Sequence, residues 1–144
     1  MCGICGFTGE IVDRDRVLRE MAELITHRGP DSSGFYTDSS VAMGFRRLSI
    51  IDVDASGNQP IYNEDRTLVL TFNGEIYNYR QLRAELEGKG HRFYTQTDSE
   101  VLVHGFEEWG EEMLPRLRGM FGFAIWNTKD QSLFLARDFF GIKP

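Results

Sequence analysis

Met120-Phe121-Gly122-Phe123-Ala124-Ile125-Trp126, then Asn127-Thr128-Lys129-Asp130, then Ser132-Leu133-Phe134-Leu135-Ala136-Arg137: two runs rich in aromatic and branched residues flank a polar turn. That pattern is a β-hairpin. Working outward, Thr67–Phe72 reads as a further strand. Asn73-Gly74 then breaks it as a tight turn, because both residues tolerate positive φ. Residues 4–8 read as a short buried strand. Gly34–Thr37 and Val41–Leu48 read as two more, with Asp38-Ser39-Ser40 turning between them. Residues 52–60, rich in Asp, Ser, Gly and Asn, form a loop and are a candidate for closing over a ligand.

Between these strands the periodicity changes. Val17, Leu18, Met21, Leu24 and Ile25 recur at helical spacing within Asp13–Thr26, stopped by Gly29-Pro30. A second helix opens at Asn78, with Gln81 completing a capping box and Leu82 and Leu86 on one face. A third opens at Thr97 with Glu100 in the same relation. It carries Leu102, Phe106 and Trp109, and Pro115 bounds its continuation. Hairpins interleaved with helices, without βαβ alternation, give an α+β fold with mainly antiparallel sheet. No repeat, linker or low-complexity segment divides the chain.

The 144 residues suit one domain with one core. Hydrophobic residues make up 41% and charged residues 26%, so the chain reads as an ordinary soluble globular protein. No apolar run approaches the ~20 residues of a membrane span, and the N-terminus lacks the architecture of a secretory signal. A net charge of −6 argues against nucleic acid as a partner. Two cysteines make no disulfide framework, and the cytosol is the default compartment.

Cys2 directly follows the initiator methionine, whose removal is favoured when the next residue is small. The product carries a thiol and a free α-amine on one residue. With a pKa of ~7.7–8.0 against ~10.4 for lysine, that amine is partly neutral near pH 7. It can take the thiol's proton, so one residue supplies nucleophile and base. On position alone, a small buried residue at a frayed end remains the commoner outcome. Cys2 and Cys5 form a C-x-x-C, but His27, His91 and His104 are scattered and complete no zinc set, and a redox pair would sit between a strand and a helix. No metal is expected, and Cys5 reads as core.

Other residues have a functional and a plain reading side by side. His27 could pair with Cys2, or could simply face the carbonyls at a helix end. Arg47 can grip a carboxylate through two parallel hydrogen bonds, or make a surface charge pair. Asn73 and the Gly74 N–H can converge on an oxyanion, or only turn the chain. Asp98, in the expected first turn of a helix, is favoured there by the helix dipole whatever else it does.

Taken in order, Met1-Cys2-Gly3-Ile4, His27-Arg28-Gly29-Pro30-Asp31, Arg47-Leu48-Ser49-Ile50-Ile51-Asp52 and Asn58-Gln59-Pro60 resemble the N-terminal-nucleophile (class II) glutamine amidotransferases. With Asn73-Gly74-Glu75-Ile76-Tyr77-Asn78, Thr97-Asp98-Ser99-Glu100, Arg118-Gly119-Met120-Phe121 and Ala136-Arg137-Asp138, the set is similar to the glutaminase domain of the glutamine-hydrolysing asparagine synthetases. The resemblance covers essentially the whole chain.

It implies a four-layer αββα sandwich, two antiparallel sheets between helices, of the N-terminal nucleophile hydrolase type. It implies that Cys2 attacks the side-chain amide of glutamine, with Asn73 and the Gly74 N–H as oxyanion hole. Arg47 would hold the substrate α-carboxylate and Asp98 and Glu75 its α-ammonium, with Leu48, Ile50 and Ile51 lining the pocket. The family's catalytic unit continues past Pro144. Residues 1–144 are therefore read as an incomplete glutaminase domain, truncated at its C-terminal end. No cofactor is expected here. ATP and magnesium belong to a synthetase domain, the implied partner, which is absent and which would amidate aspartate. Left open are a glutamine-binding module without turnover and a glutaminase serving another acceptor.

Overall fold

The computed structural model of the chain describes residues 2–49 and 57–144. Three strands, β1 (Gly3–Thr8), β2 (Ser32–Thr37) and β3 (Val41–Arg47), form one antiparallel sheet in the order β1-β3-β2. Four more, β4 (Ile61–Tyr62), β5 (Leu68–Ile76), β6 (Gly119–Asn127) and β7 (Ser132–Arg137), form a second in the order β4-β5-β6-β7. Helix α1 (Arg14–Leu24) packs on the first sheet. Helices α2 (Tyr79–Gly88) and α3 (Glu100–Trp109) pack on the second. The quoted hairpin is β6–β7, in the register Asn127↔Ser132 to Gly122↔Arg137.

Strand alternation builds the layers. Along β5, Leu68, Leu70, Phe72 and Ile76 face the helices. They join Leu82 and Leu86 of α2 and Leu102 of α3 in the larger core, with Phe106 and Trp109 packed at its margin. The intervening Val69 faces the other sheet, where it meets Val41, Met43 and Trp126. The sheets are also tied by polar contacts: Asp38 accepts hydrogen bonds from Trp126 Nε1 (2.7 Å) and the Tyr36 hydroxyl (3.0 Å). The same carboxylate accepts the Ser40 and Val41 N–H groups, which makes the β2–β3 turn an aspartate turn.

Several details depart from the sequence reading. Asn73-Gly74 does not turn. β5 runs straight through it, with Asn73 opposite Gly122 and Gly74 opposite Phe121. Glycine serves close approach here, because a Cβ on Gly74 would stand 2.2 Å from the Met120 carbonyl oxygen. Neither expected capping box forms. Asn78 turns outward to join Arg116 O and Arg118 N–H. Glu100 is itself the first residue of α3, so that helix starts later than expected, and its carboxylate reaches back to the Tyr94 and Thr95 N–H groups. In α1 the buried residues are Leu18 and Ala22, while Leu24 is exposed. Six residues beyond Leu18 is about 120° off its face. The short strand β4 was not anticipated, and positions 52–56 of the expected 52–60 loop lie outside the described residues.

Candidate active site

Cys2 stands immediately before β1, half-buried, with its thiol 3.9 Å from the Leu48 carbonyl oxygen. The Arg28 side chain donates to the Cys2 carbonyl (3.3 Å) and holds the strand start in place. Beside it opens a cavity of about 450 Å³ between the two sheets. Its lining includes Cys2, Arg47, Leu48, Asn73, Gly74, Glu75 and Asp98. The structure thus gathers every expected site residue that it describes. Ile50 and Ile51 fall outside the described residues. His27, in the 3-10 turn Thr26–Arg28, is not among the lining residues.

Asn73 supplies the most informative feature. It is 2% exposed, and its side-chain Nδ2 has no hydrogen-bond partner among the described residues. A buried donor left unmade costs about 1–3 kcal/mol, so such groups concentrate where a ligand or reaction intermediate completes them. The neighbouring Gly74 N–H is aimed by the ladder. Phe121, opposite Gly74, spends its own N–H and C=O on Asp138, so the pair is of the non-hydrogen-bonded kind. Gly74 therefore presents its N–H at the outer edge of β5. Two residues either way, that edge is closed: Phe72 N–H and C=O pair with the Gln59 side chain (2.6 and 3.1 Å), and Ile76 N–H donates to Asp98 (2.7 Å).

The cavity walls carry opposite charges. Arg47, 8% exposed, donates to Asn58 Oδ1 (3.2 Å), which also accepts the Ser32 hydroxyl (3.0 Å). A Cβ on Gly57 would lie 2.6 Å from an Arg47 guanidinium nitrogen, so this glycine leaves the guanidinium its room. On the acidic wall, burial pushes the Asp98 carboxyl up to about 6. The Ile76 N–H bond opposes that shift and the nearby Glu75 charge adds to it. A buried acid beside a second acid is completed by a cation.

The sequence motif Asn58-Gln59-Pro60 by itself assigns Asn58 and Gln59 no role. They are the props of Arg47 and of β5 respectively. Tyr79, Gln96, Thr97, Met120 and Lys143 also line the cavity and were not anticipated. Gln96 and Thr97 adjoin Asp98 in the chain, which was a usable signal. Met120 arrives only through its register opposite Glu75. Cys5 takes no part: its thiol lies beside Gly44 and Leu18 under α1, where burial raises its pKa, and both cysteines are free.

Residues 1–144 match the family described as glutamine amidotransferase domain. The chain is 50% identical over 149 residues to asparagine synthetase [glutamine-hydrolyzing] 1 of Bacillus subtilis, covering 98% of this chain and 23% of that protein. It is 45% identical over 148 residues to asparagine synthetase [glutamine-hydrolyzing] of Zea mays, covering 100% of this chain and 25% of the relative. It therefore spans about a quarter of the length of the curated relatives it matches. Among solved structures, the glutamine phosphoribosylpyrophosphate amidotransferase from B. subtilis superposes with a TM-score of 0.76 at 22% identity, over 99% of this chain and 38% of that one. That likeness shows a shared fold.

Proposed function

The chain belongs to the glutamine amidotransferase domain family, and from that premise we propose that it hydrolyses the side-chain amide of glutamine through Cys2 as an N-terminal nucleophile. The observation that carries this reading is the single cavity holding Cys2, the Asn73 Nδ2 without a hydrogen-bond partner among the described residues, and walls of opposite charge. Glutamine is a zwitterion at one end and a neutral amide at the other. Arg47 takes its α-carboxylate, Asp98 and Glu75 take its α-ammonium, and the amide reaches Cys2.

With Met1 removed, the α-amine of Cys2 accepts the thiol proton and sulfur bonds to the amide carbon. The negative charge that develops on oxygen is met by Asn73 Nδ2–H and the Gly74 N–H, donors fixed before the reaction starts. Collapse breaks the carbon–nitrogen bond. The protonated amine hands its proton to the departing nitrogen, which leaves as ammonia. Water, deprotonated by the same amine, then attacks the thioester and releases glutamate and the free thiol. No cofactor enters these steps.

In the whole protein, the ammonia serves an ATP- and magnesium-dependent amidation of aspartate by a synthetase domain; the relatives named for asparagine synthesis support this part of the proposal. Among the described residues no helix is long and apolar enough to cross a membrane. Two free thiols are in keeping with the cytosol as the compartment.

Incubation with glutamine should release ammonia and glutamate in equal amounts, with asparagine, one methylene shorter, turned over far more slowly. Glutamine binding without ammonia would replace the proposal with a binding module, and no binding would remove both.

Asp98 supplies a pH signature. The anion binds the ammonium, so KM for glutamine should rise as pH falls through about 6, while kcat is less affected. The folded pKa lies above the ordinary value of 3.8, so the native state holds this proton more tightly than the unfolded chain. Stability contributed by the group is present at low pH and declines as pH rises from about 4 to 6. Above that window the ionised carboxylate costs on the order of 1–3 kcal/mol. Asp98→Asn should therefore raise Tm at pH 8 while raising KM at least ~10-fold. A variant with a lower Tm and unchanged KM would remove Asp98 from the site.

A further inference from the structure

A second constellation lies on the helical layer over the four-stranded sheet, and it is independent of the glutaminase reading. Glu64 comes from the turn after β4, His91 from the segment after α2, and His104 and Glu107 from successive turns of α3. One ligand atom from each lies within 4.8 Å of all the others. The histidines looked scattered in the sequence; the fold joins two of them to each other and to carboxylates instead of to the cysteines.

The spacing has a chemical meaning. His104 Nδ1 is 3.3 Å from Glu64 Oε2, His91 Nδ1 is 3.6 Å from Glu64 Oε1, and His91 Nδ1 is 3.7 Å from Glu107 Oε2. The last two are too long for hydrogen bonds. Each lies within a few tenths of an ångström of the ~3.3–3.5 Å that separates nitrogen and oxygen ligands around a tetrahedral zinc ion, with Glu64 meeting His104 through one carboxylate oxygen and His91 through the other. His104 is fully buried, and its Nδ1 has no hydrogen-bond partner among the described residues although it points into this group.

The outer nitrogens are engaged in the way metal-binding imidazoles require. His104 Nε2 faces Glu100 Oε1 (3.4 Å) and His91 Nε2 faces Glu108 Oε2 (3.3 Å). A carboxylate behind each ring fixes the tautomer that leaves Nδ1 free to ligate. Glu100 is in turn immobilised by the Tyr94 and Thr95 N–H groups. Glu64, Glu100, Glu107 and Glu108 thus bring four carboxylates to two imidazoles. Among the described residues Lys89 stands 2.8 Å from Glu108 on the rim, and Lys129 acts on Glu107 from further off. A dication at the centre offsets that excess.

We propose that Glu64, His91, His104 and Glu107 form a zinc site that pins the β4–β5 turn and the segment after α2 to α3. Two imidazole nitrogens with two carboxylate oxygens suit zinc better than magnesium or calcium, which take oxygen-only shells. Helix α3 begins two residues after Asp98, so the ion steadies the element on which the acidic wall of the cavity rests.

Calorimetric titration of the purified, metal-free protein with Zn²⁺ should show one ion per chain with micromolar or tighter affinity. Tm should rise by about 5 °C or more at saturation. Co²⁺ should give visible bands of a tetrahedral nitrogen–oxygen site, without thiolate charge-transfer absorption, and Zn²⁺ should bleach them. His104 is too buried for a clean substitution, so the variants are His91→Gln and Glu107→Gln, at half-buried and exposed positions. Each should weaken binding at least ~10-fold with the metal-free Tm unchanged, and the double variant should abolish it. Absence of saturable uptake, uptake undiminished in the double variant, or thiolate–cobalt bands would each overturn the site.

Discussion

Cys2→Ala is expected to lower kcat for glutamine hydrolysis by at least ~10⁴-fold, while glutamine still binds and Tm stays within a degree or two. Removing the nucleophile of a covalent mechanism eliminates the thioester route, and what remains is polarisation of the amide by preorganised donors. Among the described residues no second thiol lines the cavity. Thr97 lines it, but its hydroxyl is shared with Thr95 (2.8 Å) and Ser99 (3.0 Å). His27 is not among the lining residues, so no imidazole stands ready to activate water in place of sulfur. The fold should tolerate the change because Cys2 is half-buried and precedes β1, leaving both cores intact. Calorimetry with glutamine and kinetics on the same variant check it; wild-type turnover by Cys2→Ala would end the nucleophile assignment.

Asn73→Ala is expected to reduce kcat by ~10²–10³-fold with little change in glutamine affinity, because the lost hydrogen bond is made fully only when charge has moved onto oxygen. Stability supplies the discriminating readout. Were Asn73 there to hold β5 in place, its removal would destabilise the protein. Its Nδ2 is instead buried without a partner among the described residues, so deletion removes a desolvated donor worth about 1–3 kcal/mol against the smaller loss of packing. Tm should hold or rise as activity falls, and a large loss of Tm would recast the residue as structural. Gly74→Ala is a poorer probe of the same oxyanion site, since its Cβ would press on the Met120 carbonyl and distort the β5–β6 pairing.

How far the sequence reached depends on what each residue contacts. The β6–β7 hairpin and the faces of α2 and α3 were legible because they rest on local periodicity, which survives packing. Asn73-Gly74 misled because local propensity allows a turn there, whereas the decisive fact is a neighbour 46 residues later: Phe121 and Met120 approach so closely that only glycine fits. The capping boxes failed similarly. Asn78 and Glu100 had partners available outside their own helices, and those tertiary bonds won. In the cavity, Cys2, Arg47, Asn73, Gly74, Glu75 and Asp98 could be named from ordered motifs, yet their chemistry could not be read singly. Asp98 becomes unusual only when buried beside Glu75, and Asn73 only when its Nδ2 is left without a partner among the described residues. Asn58 and Gln59 show the remaining gap: the motif was visible, but the props it provides to Arg47 and Phe72 exist only in three dimensions. The His91–His104 grouping is the extreme case, assembled from three segments with no shared sequence signal.

The most direct test of the central claim combines the intact mass of the purified protein with a glutaminase assay on the same sample. The account predicts a mass short of one methionine residue together with glutamine-dependent ammonia release, because only a free Cys2 amine can move the protons. A preparation retaining Met1 and still turning over glutamine at full rate would contradict it, since that amine would then be locked in a peptide bond.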